Sequence, residues 1–375
     1  IILFGFIGQV AWAVENVYFN TFLFNYIGGT ADDIAKMVAA SAIAAVVTTF
    51  IMGTLSDKLD RRKIFISGGY IIWGFTVAVF AFISRENIGK LFNVSDTSKV
   101  VAATVCVVII MDCVMTFFGS TSNDAAFNAW VTDVTVPENR GTAEAVLALL
   151  PVFATVIVTV AFGVGVEAAG YPACFMFLGA LVTICGIIGL FSVKDPRKGV
   201  KQSTNYFSDL IYGFRPSVIK NNAALYLCLA SACIFNTAVQ VFMPYIFIYV
   251  QHYLKFDLNT FQITTPIIIG GAAAVVGLVV VTILLGKLLD KVGKRIFVFP
   301  AVLLFVAGLV AVFFAKTLLT FVLFALIMIL GYGLLMIILN ATVRDYTPED
   351  KVGQFQGVRL LFTVTLPMII CLLYT

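Results

Sequence analysis

The residues best suited to chemistry lie in one stretch, Met111 to Gly141, where polar groups are threaded through a segment otherwise apolar enough for lipid. Asp112, Thr116, Ser120, Asn123 or Asp124, and Asn128 recur every three to four residues. At 3.6 residues per turn that spacing lays them along one face of a helix. Carboxylates, amides and hydroxyls at membrane depth are costly against lipid and normally face a bundle interior or a watered cavity, where ions and solutes pass. Polar glue between two helices is the bland alternative, but several aligned polar positions that include two acids favour a cavity. Such a face offers solute binding and proton exchange. Covalent catalysis would need a nucleophile with a base or a metal cluster, and His252 has no second histidine nearby. No glycine-rich loop leads into a Lys-Ser or Lys-Thr pair, so a nucleotide site of that kind is excluded.

A second wet face runs through Gln9, Trp12, Asn16 and Asn20, with Glu15 beside them. Trp12 and Phe19 are placed to stack on a solute, although aromatics in a bundle more often pack. Glu15 falls near the centre of its apolar run, where ionisation is expensive, which suits proton coupling or solute binding. Glu15, Asp112 and Asp124 are therefore the coupling candidates, and the N-terminal spans offer no deep basic residue to neutralise them. Later in the chain Asn236, Gln240 and Tyr245 surround Pro244, and Thr264 and Thr265 precede Pro266. Arg359, one to two turns into the last apolar run, has three possible fates: pairing with an acid, holding an anionic solute, or snorkelling to the surface. Its depth favours the last two.

The elements that must position these groups are membrane helices. Hydrophobic residues make up 61% of the 375, charged residues only 12%, and the mean hydropathy is +1.03, outside the soluble globular range. Apolar runs of membrane-spanning length fall at 1–24, 34–56, 64–83, 100–130, 143–166, 172–193, 223–250, 263–285, 296–315, 318–340 and 353–373, eleven spans, with a twelfth expected beyond the ends of this sequence. The seven cysteines all lie inside these runs with no close metal-binding pair, so no metal site is expected. Most Lys and Arg cluster after the even-numbered spans, which places those loops, and both termini, on the cytoplasmic side of a cell membrane. Asn93-Val94-Ser95 on the other side is a glycosylation sequon by pattern.

The chain repeats itself. Gly53 to Lys63 reads GTLSDKLDRRK, and Gly286 to Arg295 reads GKLLDKVGKR. DVTVPENRG (Asp133 to Gly141) is echoed by DYTPEDKVG (Asp345 to Gly353). The first pair resembles the loop signature of the major facilitator superfamily, Gly-x-Leu-x-Asp-Arg/Lys-x-Gly-Arg-Arg/Lys; the second copy fits closely, whereas the first has Asp60 where that family carries glycine. The resemblance covers essentially the whole chain. It implies an all-α polytopic fold of two pseudo-symmetric six-helix bundles, 1–193 and 223–375, joined by a cytoplasmic linker, 194–222, with the solute site between them near the midplane. Within the linker, Asn205 to Phe214 is expected as a short amphipathic surface helix.

A narrower likeness lies in DAAFNAWVTD, Asp124 to Asp133, which resembles the glycoside-pentoside-hexuronide cation symporters of the melibiose-permease kind and implies a sugar and cation role for Asp124. Those proteins also carry an acid pair where this chain has Thr49 and Ala45, so a proton is expected as the co-transported cation ahead of sodium. The resemblance implies a secondary active transporter, not an enzyme, moving a small polar solute such as a sugar or glycoside and working as a monomer in the bilayer, with no nucleic-acid partner and no cofactor besides that cation. Export of amphipathic drugs or lipids, and a transporter-like receptor or scaffold, are the alternatives. Expected solute contacts are Trp12, Glu15, Asn16, Phe19, Asn20, Asn123, Asp124, Asn128, Asn236, Gln240 and Tyr245. An expected cytoplasmic gate comprises Asp57, Arg61, Asp133, Arg140, Asp290, Arg344 and Asp345, with Asp57 meeting Arg140, and Asp290 a base near Arg344 or Lys351.

Overall fold

The computed structural model describes residues 1–93, 96–195, 211–249 and 265–374, excluding the side chains of 243–248, 265–276, 318–319 and 371–374. The rest of the sequon, linker positions 205–210, His252, Thr264 and the side chains of Tyr245, Thr265 and Cys371 lie outside the described residues. The helices are α1 (Ile2–Ile27), α2 (Ala31–Leu59), α3 (Arg62–Phe82) and α5 (Thr97–Val134), with a short α4 (Arg85–Phe92) between the last two. They continue as α6 (Arg140–Ser192), α7 (Pro216–Asn221), α8 (Ala223–Ile248), α9 (Thr265–Val292), α10 (Lys294–Phe313), α11 (Leu318–Tyr346), α12 (Val352–Leu360) and α13 (Leu366–Tyr374). α6 holds two spans divided at Gly170, whose φ of +78° breaks the helix at a position suited to glycine. Among the described residues eight helices are long and apolar enough to cross a membrane, and α6 covers two of the expected runs. No strand occurs among the described residues.

Local chemistry sets the boundaries. α1 ends where Gly28 takes a left-handed φ of +83°, and α2 begins at a reciprocal capping box in which Thr30 Oγ1 accepts from the Asp33 amide and Asp33 Oδ2 accepts from the Thr30 amide. α2 is built inside out, as a membrane helix is: Val38, Ile43, Val47 and Ile51 are exposed, while Ser41, Thr48, Thr49, Gly53 and Thr54 are buried. The chain leaves α2 through Asp60 at φ +49°, the position occupied in the second repeat by Gly293 at φ +104°. Aspartate tolerates that conformation better than most side chains, so the first turn keeps its shape without the glycine.

Two compact units emerge, and each takes one helix start from the opposite half of the sequence. The first comprises residues 1–134, 150–219 and 348–361; the second comprises 135–149, 220–347 and 362–375. The first unit's core centres on Tyr70, Trp73, Phe19, Phe22, Phe80 and Phe175, all fully buried. The second packs Phe235, Phe305, Met328, Leu334, Ile337 and Ile338 around Ala301. In the first unit α12 lies directly on α2: a Cβ at Gly53 would overlap the Gly353 carbonyl, and one at Gly353 the Gly53 carbonyl. In the second, a Cβ at Gly286 would lie 2.9 Å from the Gly141 carbonyl.

Because backbone cannot yield as a side-chain tip does, Gly53→Ala should lower thermal stability in detergent by about 1–3 kcal/mol. Gly68, also helical, has nothing within 4 Å of the corresponding point, so Gly68→Ala should be neutral or stabilising by up to about 1 kcal/mol. Equal unfolding midpoints for the two variants would refute the close packing of α2 on α12.

Candidate functional site

The acids of the two wet faces meet inside the first unit. Glu15 opens a π-helical stretch of α1, Glu15–Phe19, and Asp124 sits in another of α5, Ser120–Phe127; such wide turns occur frequently at functional sites. Glu15 Oε1 accepts from Ser41 Oγ at 2.8 Å and from Thr116 Oγ1 at 3.3 Å, and the two hydroxyls are 3.2 Å apart. Asp112, 1% exposed, lies one turn before Thr116 and within reach of the same Ser41 hydroxyl. Glu15 Oε2 and Asp112 Oδ1 are buried without a hydrogen-bond partner. The Asp112 charge bears on Glu15 and, more weakly, so does that of Asp124.

Asp124 Oδ2 accepts from Ser120 Oγ at 2.8 Å and is attracted by the Arg359 guanidinium on α12, a helix of the same unit. Arg359 thus lies close enough for its charge to bear on Asp124, though it belongs to none of the N-terminal spans. Within this π-helical stretch Asn123 and Asp124 take different partners. Asn123 Nδ2 donates to Tyr70 Oη at 2.7 Å, and Tyr70 Oη donates to the Phe4 carbonyl at 2.6 Å. Asn128 Nδ2 reaches back five residues to the Asn123 carbonyl at 3.1 Å.

The other solute candidates are distributed as follows. Trp12 is half-buried with its ring centroid 5.0 Å from that of Trp73. Asn16 is exposed and donates to the Trp12 carbonyl, and Asn20 donates to the Asn16 carbonyl, each at 2.8 Å. Phe19, 1% exposed, is wedged between Phe80 and Phe175 with centroids at 4.4 and 5.2 Å, so it packs the core and has no free face for a solute. Asn236 and Gln240 belong to the second unit, where Asn236 Nδ2 donates to the Ala232 carbonyl at 2.8 Å and Gln240 is exposed; the Tyr245 side chain is outside the described residues. Thr49 and Ala45 hold no carboxylate, and Thr49 Oγ1 donates to the Ala45 carbonyl at 2.7 Å.

A second polar assembly occupies the loop ends of the helices. α12 starts at Lys351, which offers no side-chain cap, and Asp57 supplies one: its Oδ1 accepts from the Gly353 amide at 2.8 Å and its Oδ2 from the Gln354 amide at 2.7 Å. Asp57 also pairs with Arg62, whose Nε donates to Asp133 Oδ2 at 3.0 Å and whose Nη1 donates to Ser56 Oγ at 2.7 Å. In the second unit Asp290 repeats the device, accepting from the Gly141 and Thr142 amides, each at 2.8 Å, and from Thr142 Oγ1 at 2.6 Å. Asp345 there receives Arg140 at 3.1 Å and Lys294, and Arg344 pairs with buried Glu144.

The expected gate residues are placed as follows. Arg62 carries the charge assigned to Arg61, because after the left-handed turn at Asp60 the exposed Arg61 is extended and Arg62 begins α3 on the inner side. Asp57 is engaged by Arg62 and a helix start, and Arg140 by Asp345. Asp290 is met by amides and a hydroxyl, with Arg344 turned to Glu144 and Lys351 lying 4.0 Å over the Tyr212 ring. Glu144, Ser41 and Ser56 escaped the sequence reading. Ser41 had a signal, standing one turn before Ala45 on the face that carries Thr49.

A family model described as Major Facilitator Superfamily matches residues 1–370. Among solved structures, a bacterial homologue of the iron transporter ferroportin, in an outward-facing state, aligns at TM-score 0.67 with 14% identity over 99% of this chain and 88% of that one. The human organic anion transporter MFSD10 (TETRAN) aligns at 0.64 with 12% identity over 100% and 92%. The proton:xylose symporter XylE aligns at 0.56 with 12% identity over 98% and 86%. At these identities the shared property is the fold. Comparison with curated protein sequences finds no match.

The buried Asp57–Arg62–Asp133 cluster makes a sharp contrast between adjacent arginines. Removing one partner of a buried ion pair costs roughly 3–5 kcal/mol, whereas exposed substitutions stay within about 0.5 kcal/mol. Arg62→Gln should therefore unfold at a markedly lower temperature than wild type, and Arg61→Gln should match it. The reverse order would return the role to Arg61.

Proposed function

We propose that this chain, which belongs to the major facilitator superfamily, is a secondary active transporter of a small polar solute driven by a proton gradient. The family and the solved structures it resembles are transporters, not enzymes, and the chain is an integral, multi-pass membrane protein. The observation that carries the proton reading is the Glu15 carboxylate, held by the Ser41 and Thr116 hydroxyls, with Asp112 alongside and one oxygen of each acid buried without a partner. Neutral hydroxyls can follow either protonation state by rotating, so the acid can load and release a proton without rebuilding its surroundings. Sodium is disfavoured because the expected acid positions hold Thr49 and Ala45.

The solute is placed at Asp124, Asn128, Trp12 and Asn20, where a carboxylate, amides and an indole offer the contacts that a sugar or glycoside takes. Arg359 supplies the countercharge that Asp124 exchanges for solute hydroxyls. The loop-end assemblies around Asp57 and Asp290 are read as the cytoplasmic gate. They hold helix starts in place until the solute and proton have both bound, and the bundles then rock to expose the site on the other side.

Two variants in proteoliposomes test this division of labour. Glu15→Gln should abolish uphill uptake while preserving solute counterflow, since exchange of solute for solute needs no net proton movement. Asp124→Asn should abolish both. If each variant still concentrates solute against its gradient, neither acid is essential and the wet faces are helix-to-helix glue. At the gate, Asp57→Asn should slow turnover several-fold with little change in solute affinity; unchanged turnover would remove Asp57 from the gate.

A further inference from the structure

The turn joining α9 to α10 ends two lipid-facing stripes on a cluster of bases. Val280, Leu284 and Leu288 are exposed along α9, and Ile296, Phe299 and Leu303 along α10. Lys287 and Lys291 are exposed one turn apart beside the first stripe, and exposed Arg295 heads the second. Neither lysine side chain has a hydrogen-bond or ion-pair partner among the described residues. Lys294 is paired with Asp345, and Arg295 donates to Tyr346 Oη at 3.1 Å. The one acid of the turn, Asp290, directs both oxygens to the start of α6. Two like charges at i and i+4 repel, and an anion between them would relieve that repulsion.

The first repeat is an internal contrast. Its turn also carries bases, Lys58, Arg61 and Lys63, but Asp60 stands where the second copy has Gly293, and Asp195 Oδ1 accepts from the Lys63 amide. Acids are interleaved there and absent from the exposed face of the second turn. The difference is one of charge, since the two turns share a left-handed residue and a helix-capping aspartate.

We propose that Lys287, Lys291 and Arg295 form a binding site for the headgroup of an anionic phospholipid, with its acyl chains lying along the two exposed stripes. Anionic lipids are concentrated in the cytoplasmic leaflet, and a base close to that surface contributes about fivefold in binding, equivalent to about 1 kcal/mol. The charge distribution of the loops assigns this turn to the same side.

Native mass spectrometry of the full chain in detergent, titrated with phosphatidylglycerol or with zwitterionic phosphatidylcholine, reads the site directly. Lys287→Gln/Lys291→Gln should weaken phosphatidylglycerol binding about thirtyfold, five for each lysine, and leave phosphatidylcholine unaffected. Lys58→Gln/Lys63→Gln in the first turn should stay within about twofold of wild type on the same scale. In the wild-type chain, rising salt should strip phosphatidylglycerol and spare phosphatidylcholine, a readout that requires no variant. Equal losses from the two turns, no loss from the Lys287/Lys291 pair, or salt-insensitive retention would each overturn the proposal. So would equal displacement by inorganic phosphate, which would mark a site for free anions.

Discussion

A carboxylate set against the bare amides of a helix start is the contact on which both units depend. Helix starts leave N–H groups without intrahelical partners, and in a membrane protein neither lipid nor a tight helix interface offers water to replace them. Asp57 answers for Gly353 and Gln354, and Asp290 for Gly141 and Thr142. In each unit the capped helix carries, in its first turn, a glycine that lies against a glycine of the helix bearing the aspartate. The missing side chains and the charged cap require one another. Only glycine allows the backbones close enough for the carboxylate to reach, and the carboxylate satisfies the polar groups that such closeness would strand.

That contact leads along α12 into the first unit's interior. The helix that Asp57 caps is the helix that carries Arg359 towards Asp124. Glu15 is held by the Ser41 and Thr116 hydroxyls, with Asp112 one turn before Thr116. The two acidic positions thus differ: the Arg359 charge bears on Asp124, and a second carboxylate, Asp112, bears on Glu15. This asymmetry underlies the assignment of solute to one and coupling to the other.

Much of this was legible in the sequence. The apolar runs located the spans because length and hydropathy are nearly sufficient in a bilayer, and the repeated GTLSDKLDRRK and GKLLDKVGKR turns located the capping aspartates. Three features were not legible, each for a physical reason. A 3.6-residue period runs straight through Ser120–Phe127, where the helix widens into a π turn, and no propensity marks such a widening. The choice between Arg61 and Arg62 hangs on one left-handed residue, Asp60, which a glycine would have announced. The pairing of Glu144 with Arg344 joins residues two hundred positions apart, beyond any local pattern.

The caps are open to direct measurement without knowledge of the solute. Hydrogen exchange followed by mass spectrometry would compare wild type with Asp57→Asn at the peptides spanning Gly353–Gln354 and Gly141–Thr142. If the carboxylate holds the start of α12, exchange at Gly353 and Gln354 should accelerate roughly two- to thirtyfold, the range set by a capping contribution of about 0.5–2 kcal/mol, with Gly141 and Thr142 unchanged. Undiminished protection at Gly353 and Gln354 would contradict the claim that Asp57 organises the first unit.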